Sequence, residues 1–180
     1  MSYFLIAVNF VLSNEGGLEE DSNDPGGITN FGISLRFLKS TNNLKYDFNG
    51  DGLIDEREIK DLTQENAIIV YQNEFWNVAH FDKILNQSLC NYLFDMSVNM
   101  GLATAIKITQ QALCAFNKNR NFITIDGILG SNTLDEINHV GSMLLPALIS
   151  ERTNNYRMQV ALNPDKKEFL NDWLNRSFKF

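Results

Sequence analysis

Three side chains near the start of the chain have the types needed for acid–base work. Glu15 ends an apolar run and is followed at once by Gly16 and Gly17. Asp24 and Thr29 follow in a stretch that also holds Gly26, Gly27 and Gly32. One carboxyl that gives up a proton, a second that stays ionised and a hydroxyl that holds water are the parts of general acid–base catalysis. Glycines around them let backbone approach a bound molecule closely. Further along, Asp47, Asn49, Asp51, Leu53, Asp55 and Glu58 carry oxygen donors at alternating places around Gly52. They match positions 1, 3, 5, 7, 9 and 12 of a calcium loop: Leu53 offers its carbonyl, and Glu58 would bind bidentately. The expected cofactor is therefore a structural Ca2+, with none needed for catalysis.

Elements must position these groups. Residues 2 to about 15 read as a helix with Phe4, Val8, Val11, Leu12 and Glu15 on one face, stopped by the two glycines. Glu15 thus continues the apolar stripe inward, and partial desolvation there favours its protonated form, as a general acid requires. Residues 18–33 read as turns, with a short hairpin strand around Ile28, Phe31 and Ile33. A short helix follows over 34–43, carrying Leu35 and Leu38.

The rest of the chain is helical by periodicity. Residues 64–77 align Ala67, Ile68, Tyr71 and Phe75, and end at Trp76. Tyr71 and Trp76 have polar handles and are expected, with Asn30 and Asn99, to line a groove. Residues 88–100 set Leu89, Leu93, Met96 and Met100 beside a polar stripe of Tyr92, Asp95 and Asn99. A helix over 102–117 turns Ile106, Leu113 and Phe116 inward. After the turn Asp126–Gly127–Ile128–Leu129–Gly130, Ser131 or Asn132 caps a short helix with Leu134 and Ile137. A long helix over 142–161 puts Arg152 on the apolar face of Leu145, Leu148, Ile149 and Tyr156, where it should be part-buried and paired. Asn163 and Pro164 open a last helix with Phe169, Leu170, Trp173 and Leu174 on its face.

The bulk numbers exclude several classes. A length of 180 residues with 44% hydrophobic and 21% charged residues is ordinary for a globular protein with a sizeable core. A net charge of -7 disfavours nucleic acid as a partner. Cys90 and Cys114 lack metal-ligand spacing, and His80 and His139 lie far apart, so neither zinc chemistry nor a histidine triad is expected. No apolar run is long enough to span a membrane. The Phe4–Val8 run lacks the basic flank and cleavage site of a signal peptide, so synthesis in the cytoplasm without a leader is expected.

The residues Glu15–Gly16–Gly17, Asp24–Pro25–Gly26–Gly27 and Thr29–Asn30–Phe31–Gly32–Ile33 resemble those of glycoside hydrolase family 108, N-acetylmuramidases of phage and bacteria. Ala67, Tyr71, Phe75 and Trp76 resemble the family's helix ending in an aromatic pair. Phe94–Gly101, Gln111–Leu113, Asp126–Gly130 and Phe169–Leu174 resemble its C-terminal half, a peptidoglycan-binding type of region. The resemblance implies a mainly α, lysozyme-like fold with at most a short hairpin. It implies a catalytic region over 1–86 and a binding region over 87–180, packed as one globule. It also implies cleavage of the β-1,4 bond between N-acetylmuramic acid and N-acetylglucosamine, with Glu15 as the acid. Phage lysozymes place a Thr one residue further from the Asp than Thr29 lies from Asp24, which leaves the role of Thr29 open. A lytic transglycosylase on the same fold and a non-catalytic, calcium-stapled peptidoglycan-binding module are the rival readings. Peptidoglycan is the implied partner, reached in the periplasm or cell wall after holin-type or lytic release, with a holin or a secretion system for export.

Overall fold

A computed structural model describes residues 3–18, 27–41, 44–116 and 123–179. Asp24 lies outside the described residues. Ten α-helices and one hairpin are formed by the described residues. The first helix, α1, spans Phe4–Leu12 and buries Ala7, Val8 and Val11. Its chain then turns through Ser13 and Asn14, whose amides bond back to Asn9 and Val11, and the Glu15 amide still reaches the Val11 carbonyl at 3.1 Å. Helical phase is therefore kept to Glu15, although the regular helix stops three residues short of the length expected.

Two short antiparallel strands follow, β1 (Thr29–Asn30) and β2 (Ile33–Ser34), with Thr29 opposite Ser34 and Asn30 opposite Ile33. Phe31 and Gly32 form the turn, both with positive φ (49° and 74°). Helix α2 (Leu35–Ser40) is capped by Ser34, whose hydroxyl accepts from the Phe37 amide. Helix α3 (Glu56–Lys60) closes the acidic loop, and α4 (Gln64–Tyr71) is capped by Thr63. A π-helical turn over Gln72–Trp76 and the short α5 (Asn77–Ala79) extend α4.

Helix α6 (Gln87–Met100) is the central post. It packs on α1 and on α7 (Leu102–Phe116), which in turn meets α9 (Leu145–Leu162). Helix α8 (Ser131–Val140) and α10 (Leu170–Ser177) complete the order. Phe94, midway along α6, is the hub of an aromatic cluster. Its ring meets Phe4, Tyr71, Trp76 and Phe81 edge-on, at centroid separations of 5.4–6.4 Å. Such pairs contribute about 0.5–1.5 kcal/mol each beyond their buried area. One residue on, a turn of about 100° carries Asp95 off the aromatic side of the helix.

Two expectations change here. Phe116, expected inward, is 43% exposed at the end of α7. Trp76, expected on a groove wall, is 5% exposed and packed against Phe4, Phe81 and Phe94. The π-helical turn shifts helical phase just before it, and the ring joins the core instead.

Candidate active site

Glu15 sits where the turn after α1 meets the hairpin and the last helix. Its side chain is 14% exposed. Oε1 accepts a bond from Arg176 Nη2 of α10 at 2.5 Å. Oε2 faces the hairpin turn: a Cβ added to Gly32 would lie 2.5 Å from it. Glycine is thus favoured at position 32 on two counts: a Cβ there would displace the Glu15 carboxylate, and the φ is positive. Tyr71 fixes the turn from below by donating its hydroxyl to the Phe31 carbonyl at 2.6 Å. Burial, with the Glu15 charge adding to it, pushes the Tyr71 phenol well above its ordinary range, so that it remains a donor.

Behind Glu15 is a buried charge network. Asp95, 1% exposed, takes Arg176 Nε on both oxygens and Nη2 at 2.7 Å, Arg152 Nη2 at 2.9 Å and Asn14 Nδ2 at 3.2 Å. Arg152 is wholly buried, with its guanidinium over the Tyr92 and Tyr156 rings, 5.2 and 5.7 Å from their centroids. Its Nε donates to the Tyr156 oxygen, and the Tyr156 hydroxyl donates to Asn99. Burial works against both arginine charges. Asp95 outweighs it, joined by Glu15 at Arg176 and by the tyrosines at Arg152, so both guanidiniums are held above their usual range. The Arg152 Nη1 atom is buried with no partner among the described residues. The predicted polar stripe Tyr92–Asp95–Asn99 is therefore real, and it faces the predicted inward Arg152.

The other expected residues are distributed differently. Tyr71 brings its hydroxyl to the centre, but its ring is 1% exposed and belongs to the core rather than to a groove wall. Asn30 is 7% exposed and donates to the Ile59 and Leu62 carbonyls, so it ties the hairpin to α3 and does not face an open cleft. Strand alternation leaves Thr29 half-exposed on the opposite side. Asn99 is half-buried beneath Tyr156. The expected half-apolar setting of Glu15 is replaced by an ion pair, because the partner arrives from the far end of the chain. Arg176 was not singled out in the sequence. The available signal is its place three residues after Trp173, on the edge of the apolar stripe of α10.

The acidic loop is folded on its own side chains. Asp47 accepts from the amides of Gly50, Asp51 and Gly52 at 2.7–3.2 Å. Asn49 donates to Glu58, and the other Glu58 oxygen accepts from the Asp55 amide at 3.0 Å. Asp55 caps α3 and, with Glu58, forms a reciprocal capping box. Arg57 holds Asp51 at 2.5 Å and Asp55 at 2.7 Å. Among the described residues no three His, Cys, Asp or Glu side chains converge as a ready metal cluster. The donor types and order suit a hard cation, and a cation using Asp51 and Asp55 competes with Arg57 for them.

A small hairpin, a glutamate after the first helix and a helical body around a buried central helix define a lysozyme-like fold. The solved structure titled "Structure of Brucella abortus SagA" is similar, with a TM-score of 0.69 and 24% identity over 98% of this chain and 94% of that one. The model of the family Glycosyl hydrolase 108 matches residues 8–101, more than half of the chain. The chain belongs to that family and is a glycoside hydrolase. No curated protein matches it in sequence. The family match includes Glu15, the hairpin and Asp95, and it ends before Arg152 and Arg176.

Proposed function

We propose that the protein is a peptidoglycan muramidase that hydrolyses the β-1,4 bond after N-acetylmuramic acid, with Glu15 as general acid. The observation that carries this reading is the Glu15 carboxylate, held between Arg176 and a hairpin turn where any Cβ on residue 32 would displace it. Glu15 gives its proton to the leaving oxygen as the C1–O bond breaks with both electrons on that oxygen. Water then adds its hydroxide part to C1, and its remaining proton returns to the enzyme. Asp24 is the proposed second carboxylate, with Thr29 holding the water. Asp95 is excluded from that part, because it is closed off from solvent between two arginines. Peptidoglycan would be met after holin-type or lytic release, with a holin or secretion system as export partner. The C-terminal half, proposed to bind the glycan strand, also supplies two arginines to the network behind Glu15. No helix among the described residues is long and apolar enough to cross a membrane.

Digestion of purified sacculi, followed by product masses, tests this. Wild-type protein is expected to release muropeptides with reducing muramic ends. Glu15→Gln is expected to release none while keeping its circular dichroism spectrum. Anhydro-muramic ends would replace the hydrolase with a lytic transglycosylase, and full activity in Glu15→Gln would remove Glu15 from the chemistry.

A further inference from the structure

A buried carboxylate between two guanidiniums leaves a charge over. Asp95 carries one negative charge and faces two cations, Arg152 at 2.9 Å and Arg176 at 2.7 Å. On the Glu15 side the surplus positive charge is presented through Arg176 Nη2, which is shared between Asp95 and Glu15. Arg176 also bonds Asp95 through Nε, so its position does not depend on Glu15. Its helix is fastened nearby, where Tyr92 of α6 donates to the Ser177 carbonyl at 2.8 Å. Among the described residues, the charged or titratable groups around the Glu15 carboxylate are Arg176 of α10, Asp95 of α6 and Tyr71 of α4, with Arg152 and Tyr156 of α9 behind them.

We propose that Arg176 is a positioning residue for the reaction. Anchored on Asp95, it fixes the direction of the Glu15 carboxylate and balances the negative charge left there once the proton has gone to the leaving oxygen. This rests on the muramidase reading and extends it: a residue beyond the span of the family match completes the catalytic centre. Loss of the proton converts Glu15 from neutral to anionic and leaves the Arg176 proton count unchanged, so the arginine acts by charge and geometry alone. It gains most from Glu15 when the carboxylate is ionised, which is the state formed during proton transfer.

The test is the pH profile of kcat/KM on sacculi for wild type, Arg176→Gln and Arg176→Lys, with thermal melts alongside. The alkaline limb reports the group that must hold a proton. Removing the cation disfavours the ionised carboxylate, so Arg176→Gln should move that limb to higher pH. Arg176→Lys keeps the charge and loses the planar fork. It should keep the wild-type limb while kcat falls by between about tenfold and a hundredfold. A purely structural arginine would lower the melting temperature of Arg176→Gln and leave its limb where wild type has it, which would overturn the proposal. If Arg176→Gln does not fold, an unchanged kcat in Arg176→Lys overturns it, and a lower kcat at the wild-type limb supports it. Glu15→Gln in the same assay separates the two levels. If it is active, the muramidase role of Glu15 fails and takes this inference with it. If it is inactive while both Arg176 results go against expectation, only the positioning role fails.

Discussion

Two concentrations of acidic side chains among the described residues are built in opposite ways. The Asp47–Glu58 loop is contiguous. Its carboxylates accept from amides two to five residues away, and its arginine, Arg57, is more than half exposed. The Glu15 centre draws on α1, the hairpin, α4, α6, α9 and α10. The partner of Glu15 lies 161 positions away, and Asp95 is enclosed by arginines from two other helices. Apart from Glu58, which is buried at 2% exposure, charges of the first kind remain at least partly solvated and are worth little individually. In the second kind, loss of one partner leaves the others buried and uncompensated. The loop's exposed carboxylates should therefore be alterable without loss of the fold, whereas the centre is part of what the helices fold around.

The sharpest way to break this contrast is to neutralise one carboxylate in each region. Asp95→Asn should cost about 3–5 kcal/mol in denaturant unfolding, because two arginines lose a buried counter-ion. Asp55→Asn should shift the midpoint only slightly, since its arginine is open to water. Equal effects would mean that the two regions are not different in kind. A metal sharpens the contrast next. We propose that the loop takes Ca2+, which would add stability by mass action, about 2.7 kcal/mol at one hundred times its dissociation constant. Chelator should then lower the melting temperature of wild type and leave Asp47→Ala unmoved. A melt that is insensitive to chelator would end the calcium assignment and leave the loop as a capped turn.

The same contrast decides what could be read in advance. The loop is local, so its ligand order was legible residue by residue. The competing roles of Asp55 and Glu58 as a capping box were not, because a capping box and ligand positions 9 and 12 use the same residue types. Helices came from periodicity. So did the inward phase of Glu15, the polar stripe of α6 and the burial of Arg152. What the sequence withheld was pairing. Nothing local indicates that Arg176 reaches Glu15, or that the Tyr71 hydroxyl finds the Phe31 carbonyl. Trp76 was misread for a related reason: its polar nitrogen favours a groove wall, but the aromatic neighbours that draw it inward lie on α1 and α6 and on the Phe81–Lys83 turn between them.

The smallest expected effect probes how α10 is held against α6. Burial pushes the Tyr92 phenol up to about 12 from its ordinary 10.0. Burial likewise raises Tyr71 and Tyr156. A folded-state value above the unfolded one means that the native protein keeps the proton longer. The stabilisation is then full below about pH 10 and is lost as pH rises towards about 12. For Tyr92 this amounts to about 1 kcal/mol between pH 10 and 11. Ionisation also removes the hydroxyl proton that Tyr92 donates to the Ser177 carbonyl, one residue from Arg176. Tyr92→Phe should be less stable than wild type by about 1 kcal/mol at neutral pH, for loss of that bond. It should also fall less steeply on the alkaline side, because one of the four raised phenols, Tyr46 being the fourth, is gone. Denaturant midpoints at pH 8, 10 and 11 for both proteins measure this. Parallel slopes would show that the Tyr92 phenol takes no part in the alkaline loss of stability and would leave the last helix held by Arg176 and by the stacking of Trp173 on Tyr156.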